Sequence, residues 1–232
     1  MIRRSGALAL LIAVVACVPA AAAPITVNVR IEGKHSTLFE GKVKTDVHKV
    51  DSSDGSGPHK CDGTNGGANA EPAPTLMGAF DDATVKAGVA WAGSWSDDFE
   101  DFGIERVGPD ANDTTYGKYW GQALDYEDTQ LGGCQLQIKK GDHVLVAYNS
   151  YGHPKLKLKG PRHATEDRSF RVTVVDGATG KPFEGARVRG RATDAKGHVR
   201  VTLGKTHVYR LKATADGAVR SQALRVRVHA AD

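Results

Sequence analysis

The chain has 232 residues, of which 40% are hydrophobic and 25% charged, and a formal net charge of +4. That apolar fraction supports a packed core and excludes a disordered polyelectrolyte. Beyond the first two dozen residues no apolar run approaches the roughly 20 residues a spanning helix needs.

Charge is unevenly distributed. Residues 23–161 carry 14 Lys and Arg against 20 Asp and Glu, a balance of −6, and residues 162–232 carry 15 against 7, a balance of +8. An acidic first part and a basic second part predict two separately built units.

Residues 1–23 read as a secretory signal peptide. Arg3 and Arg4 give the charged start, Ala7 to Val18 the apolar run, and Ala20 to Ala23 the small residues a peptidase accepts. Cleavage after Ala22 is expected. The rival is a lipobox, Val14-Val15-Ala16-Cys17, in which Cys17 becomes a lipid anchor. Either reading puts the chain in a secreted or cell-surface location. Export leaves Cys61 and Cys134, each set among glycines, as partners in one disulfide. Its loop of about 73 residues corresponds to roughly 4 kcal/mol in the loop-entropy model.

In chain order, Ile25, Val27, Val29 and Ile31 alternate with polar residues and predict a half-buried strand, with Ser36 to Thr45 as its hairpin partner. Asp46 to Pro74 is nearly free of apolar residues and predicts a long loop, pinned by Cys61. Thr75 is placed to cap a helix carrying Leu76, Phe80, Ala83 and Ala87, which Gly88 terminates. Trp91 and Trp95 fall in a Gly- and Asp-rich connection. Strands follow at Gly103 to Val107, Lys118 to Leu124, Leu136 to Ile138 and His143 to Tyr148. The sum is an α+β unit over 24–161, one helix against a mainly antiparallel sheet. After a polar linker, residues 168–232 show strict period-two patterning. Phe170-Val172-Val174, Ala186-Val188-Gly190-Ala192, Val199-Val201-Leu203, Tyr209-Leu211-Ala213 and Leu224-Val226-Val228 are separated by Asp-Gly and Asp-Ala-Lys-Gly turns. Evenly spaced short strands predict a small all-β sandwich.

Tyr119-Trp120-Gly121-Gln122-Ala123-Leu124, Gly132-Gly133-Cys134-Gln135-Leu136 and Lys139-Lys140-Gly141-Asp142-His143-Val144, ending at Tyr148, resemble the transcobalamin-like C-terminal domain family of exported bacterial proteins. The resemblance implies a β-grasp-like fold and ligand binding, although the helical partner that completes a cobalamin site is missing from this chain. One departure is that Asp125-Tyr126-Glu127-Asp128 stands where members of the family often carry an Asn-Gly turn. Val174-Val175-Asp176-Gly177, Thr179-Gly180-Lys181-Pro182, Gly185-Ala186-Arg187-Val188 and Thr193-Asp194-Ala195-Lys196-Gly197 resemble bacterial immunoglobulin-like and carboxypeptidase-regulatory-like sandwiches, which implies a non-catalytic spacer or adhesive module.

Catalytic chemistry finds little support. His48, Asp51, Asp54 and His59 share the polar loop, but their spacing matches no zinc motif and they suit a solvated loop better. Asp51-Ser52-Ser53-Asp54-Gly55 lacks the later ligands of a calcium loop. Asp97, Asp98, Glu100 and Asp101 read as a solvated edge rather than a glycosidase pair. The reading is therefore a non-enzyme with no cofactor and no metal. The aromatic cluster Trp91, Trp95, Tyr116, Tyr119 and Trp120 is the candidate ligand site, with faces suited to a sugar ring, a peptide or a corrinoid, against the competing role of core packing. Arg187, Arg189 and Arg191, expected on one face of a strand, and Arg225 and Arg227 on the last strand form a candidate arginine stripe for an anionic wall polymer, against the competing role of a solubilising surface. Nucleic acid is excluded by export and by the lack of a binding motif. The sum is an exported binding protein, with a surface spacer or adhesion module as the alternative.

Overall fold

The computed structural model describes residues 23–53 and 55–231. Most of the segment expected as a signal peptide, residues 1–22 with Cys17, and Asp54 of the expected polar loop lie outside the described residues. Among those described, the protein is mostly strand, with one α-helix and several small sheets.

Strands β1 (Ile25–Glu32) and β2 (Thr37–Thr45) form the expected antiparallel hairpin. The stretch expected as a long loop contains a short ladder, β3 (His48–Val50) against β4 (His59–Cys61). Helix α1 (Leu76–Ala87) starts where Thr75 Oγ1 accepts from the Gly78 N–H and ends at Gly88. Strands β5 (Trp91–Ser96), β6 (Asp101–Val107) and β7 (Asp110–Ala111) make a separate sheet. β5 replaces the expected connection, because its period-two burial is carried by Trp91 and Gly93, and a glycine hides the pattern. Then come β8 (Trp120–Leu124), β9 (Glu127–Asp128) and β10 (His143–Tyr148).

The main sheet runs β2-β1-β10-β8-β9, with β1 and β10 parallel and the other pairs antiparallel. Val27, Val29 and Ile31 of β1 share one hydrophobic cluster with Leu76, Phe80 and Ala83 of α1, and the helix lies over the β2–β1 side of the sheet. Leu136–Ile138, expected as a strand, is not one. Its backbone is committed to the segment entering α1, with Leu76 N–H donating to the Leu136 carbonyl at 3.0 Å and Ile138 N–H to the Pro74 carbonyl at 2.9 Å.

A second hydrophobic cluster is built from β11 (Leu156–Lys159), β12 (His163–Thr165), β13 (Phe170–Asp176), β14 (Arg187–Val188), β15 (Arg191–Ala192), β16 (His198–Val201), β17 (Val208–Leu211), β18 (Ala213–Thr214) and β19 (Leu224–His229). They form three small sheets, β11-β13-β16, β12-β19-β17 and β15-β14-β18. Leu156 and Leu158, which precede the expected boundary at residue 161, pack in this second cluster.

The strand expected over Ala186–Ala192 is instead a tight hairpin. β14 pairs β15 through Arg187↔Ala192 and Val188↔Arg191, and Arg189 (φ 50°) and Gly190 (φ 78°) form the two-residue turn. Both central residues take positive φ, the condition of a type I′ turn, and Gly190 meets it without steric cost. The three arginines therefore do not share one face of one strand.

The two clusters meet across the other face of the main sheet. Along β1 the residues between the core-facing apolar ones, Arg30 and Glu32, are buried at 7% and 2% exposure. The predicted half-buried strand is thus covered on both sides. Leu145, Ala147 and Ala123 contact Val219 there, and the rest of the contact is charged. Glu32 accepts from Lys212 at 2.6 Å and Arg220 Nε at 2.9 Å, and lies 3.4 Å from Arg30. Glu40 pairs with Lys212 at 3.1 Å and Arg210 at 3.4 Å, and Asp128 pairs with the buried Lys155. Arg220 also donates to the carbonyls of Gly33 and Ser36, tying the β1–β2 turn to the second cluster. At this contact the carboxylates all come from the first part, and three of the five cations, Lys212, Arg220 and Arg210, come from the second.

Candidate functional site

Cys61 and Cys134 are joined, with Cα atoms 4.4 Å apart and a sequence separation of 73. The bond ties β4 to the loop before β10. Around it the backbone is held twice more. Gly63 N–H donates to the Cys134 carbonyl at 3.0 Å, and Asp101 accepts from Gly133 and Cys134 N–H at 2.8 Å each. Burial pushes the Asp101 carboxyl above the ordinary range, and the amides that bond it work the other way. Of the four acids expected as a solvated edge, Asp101 is therefore structural. Asp97 accepts from the Trp95 indole N–H at 2.8 Å, and Glu100 accepts from Gly66 N–H at 3.0 Å.

A polar groove of about 570 Å³ opens beside this disulfide. Trp95 and Cys134 form part of its wall, and Lys60, Asp62, Thr64, Asn65, Asn69, Glu100 and Gln135 supply hydroxyl, amide and charged groups. Trp95 is set by its neighbours: His59 stacks on it with centroids 4.2 Å apart, and Phe102 meets it edge-on at 5.0 Å. Burial opposes the charged form of Asp62, but Lys60 at 2.9 Å and the hydroxyl and amide of Thr64 outweigh it and hold the carboxyl below its ordinary range. An exposed Lys60 and a buried Asp62, paired to each other, thus both line the groove.

The other four aromatic candidates lie elsewhere. Trp91 is 4% exposed, edge-on to Phe80 and Phe102, with its N–H donating to Asp81 at 2.9 Å. Trp120 is 7% exposed and donates to the Asp110 carbonyl at 3.0 Å. Both serve the core. Tyr116 and Tyr119 are exposed and away from the groove, and Lys118 lies over the Tyr116 ring at 5.7 Å. The structure therefore brings only Trp95 of the five to the disulfide-side groove. Single-sequence proximity could not separate them, because an indole on a core strand and one on a groove wall have the same composition.

His48 and His59 sit on paired strands but face different surroundings. His59 stacks on Trp95, whereas His48 is bracketed by Asp46 and by Asp81, which lies 3.8 Å from its Nε2. Asp81, then the Asp46 carbonyl and the Asp82 charge, outweigh burial and raise the imidazole pKa from 6.5 to about 9. Among the described residues no group of three or more His, Cys, Asp or Glu is placed to hold a metal ion.

The arginines are dispersed. Arg187 donates to the Gly190 carbonyl at 3.1 Å, Arg191 to the Arg200 carbonyl at 3.2 Å, and Arg189 lies over the Tyr209 ring at 5.8 Å. Arg225 and Arg227 are exposed on β19, whose neighbours are β12 and β17 rather than β14 or β15. The stripe expected across adjacent strands does not form, because the Arg189-Gly190 turn reverses the chain between Arg187 and Arg191.

No helix among the described residues is long and apolar enough to cross a membrane. A scan of protein-family models finds none that matches this chain, and a search of curated proteins finds no match either.

Proposed function

We propose that the protein is a non-catalytic binding protein of the cell exterior, and that the groove beside the disulfide holds a small polyhydroxylated ligand such as a saccharide. The observation that carries this is the wall at Trp95. One rigidly seated indole stands in a lining otherwise made of amides, hydroxyls and a neighbouring Lys60–Asp62 pair. An apolar sugar face can lie against an indole while its hydroxyls exchange water for such polar groups. The disulfide and the Asp101 bonds keep the walls from closing, which lowers the ordering cost of binding.

In this reading the first part is a β-grasp-like domain and the second an immunoglobulin-like sandwich acting as a spacer. Support for the first comes from the β1–β2 hairpin followed by a helix crossing to β10, parallel to β1. Support for the second comes from its short strands packed around one apolar cluster. The disulfide fits an oxidising compartment. The test is tryptophan fluorescence titrated with a glycan panel, peptides and cobalamin. Saturable quenching by glycans, lost in Trp95→Ala, is expected. A flat response to every glycan, or one that Trp95→Ala leaves intact, overturns the assignment.

A further inference from the structure

A second cavity lies between the two hydrophobic clusters. It holds about 340 Å³ and is walled by β1, β2 and β10 on one side and by β17 and residues 222–225 on the other. Several cations at this contact have a carboxylate partner: Arg30, Lys212 and Arg220 share Glu32, Arg210 pairs with Glu40, and Lys155 with Asp128. Two cations that line the cavity do not. Lys42 on β2 and Arg225 on β19 have no carboxylate partner among the described residues, although they come from opposite walls. Leu145 and Ala223 give the same cavity an apolar surface.

Tyr126 completes the wall. It occupies the second position of the two-residue β8–β9 turn at φ 77°, after Asp125 at φ 49°. Glycine is the favoured residue there, and a tyrosine in the left-handed region costs on the order of 1–2 kcal/mol. The ring is nonetheless 7% exposed, with Lys157 over it at 4.8 Å and Gly177 so close that a Cβ added there would clash with the ring. Tyr126 lines the cavity.

We propose that this cavity is a second ligand site, one that takes a small organic carboxylate. Arg225 and Lys42 hold the anion, the apolar wall covers the body of the ligand, and the Tyr126 hydroxyl bonds to it. Two unmatched cations beside an apolar wall select a group that is charged at one end and oily at the other. The site is independent of the Trp95 groove.

Isothermal titration of the full mature chain with benzoate, 4-hydroxyphenylacetate and octanoate, their neutral amides and inorganic phosphate tests this. Probes of this size are expected to bind with Kd of about 0.1–1 mM. The amides are expected to bind at least about tenfold more weakly, and Arg225→Gln or Lys42→Gln to weaken the carboxylates about tenfold, since each removes a charge-assisted contact. Both residues are exposed, so these variants keep the fold. Tyr126→Phe is expected to weaken binding about threefold, and Trp95→Ala to leave it unchanged. The proposal is overturned if no carboxylate binds up to about 10 mM, if amide and acid bind alike, or if phosphate binds as tightly as the organic acids.

Discussion

Replacing Glu32 tests the contact that joins the two cores. Its carboxylate is 2% exposed and faces three cations: Lys212 at 2.6 Å, Arg220 at 2.9 Å and Arg30 at 3.4 Å. Removing one member of a buried ion cluster costs about 3–5 kcal/mol, chiefly because the remaining charge is left desolvated. The side chains of Lys212 and Arg220 are 21% and 20% exposed and can regain water, whereas that of Arg30 is 8% exposed and cannot. Arg30 does keep its bond to the Arg220 carbonyl. The lower end of the range follows, about 3 kcal/mol for Glu32→Ala by urea unfolding. A cycle with Lys212→Ala separates the charge effect from lost packing and should return a coupling of about 1–2 kcal/mol. A loss under about 0.5 kcal/mol, or strict additivity in the cycle, would refute the claim that charge pairing holds the second cluster against the sheet.

Two more outcomes follow from single residues. The His48 pKa is raised from 6.5 to about 9 in the fold, so its contribution is full below pH 6.5 and is lost as pH rises through about 9. The difference corresponds to at most about 3 kcal/mol, and solvent access to the ring trims it to roughly 1–2 kcal/mol. Urea unfolding of the wild type should therefore weaken between about pH 6 and about pH 10 more than that of His48→Gln; equal slopes would count against the Asp81 contact. At the β14–β15 turn, Arg189→Asn should stabilise the protein by about 0.5 kcal/mol, since Asn tolerates positive φ better than Arg. A lower melting temperature in that variant would argue for the extended strand instead.

The local elements were largely legible. Thr75 and Gly88 bound α1 because a side-chain cap and a glycine terminus act within a few residues of sequence. The β1–β2 hairpin was legible because alternation marks which side of a strand meets a core. The errors came where a local signal had two solutions. Arg187 to Ala192 alternates equally well as one strand or as a hairpin through Arg189-Gly190. Leu136–Ile138 is apolar enough for a strand but spends its backbone bonds on the start of α1. Of the candidate site, the pairing of Cys61 with Cys134 was readable once Cys17, in the apolar run near the start of the chain, was set apart from the three cysteines. That Trp95 lines the groove while Trp91 and Trp120 fill the core depends on which side of each strand is covered.

The sequence by itself determined the helix, most strands, the cysteine pair and the opposite charges of the two halves, all of which are set by near neighbours or by composition. Only the tertiary structure decided what those charges do. Arg30 and Glu32 read as solvent-facing positions of β1, yet they are buried because Lys212 and Arg220, some 180 residues away in the chain, close over them. The same closure creates the cavity at Tyr126, whose strained turn has a purpose only once Gly177 lies against its ring. A contact of that sequence separation leaves no periodicity to read, because its two sides are selected for complementarity to each other and not for any repeat along the chain.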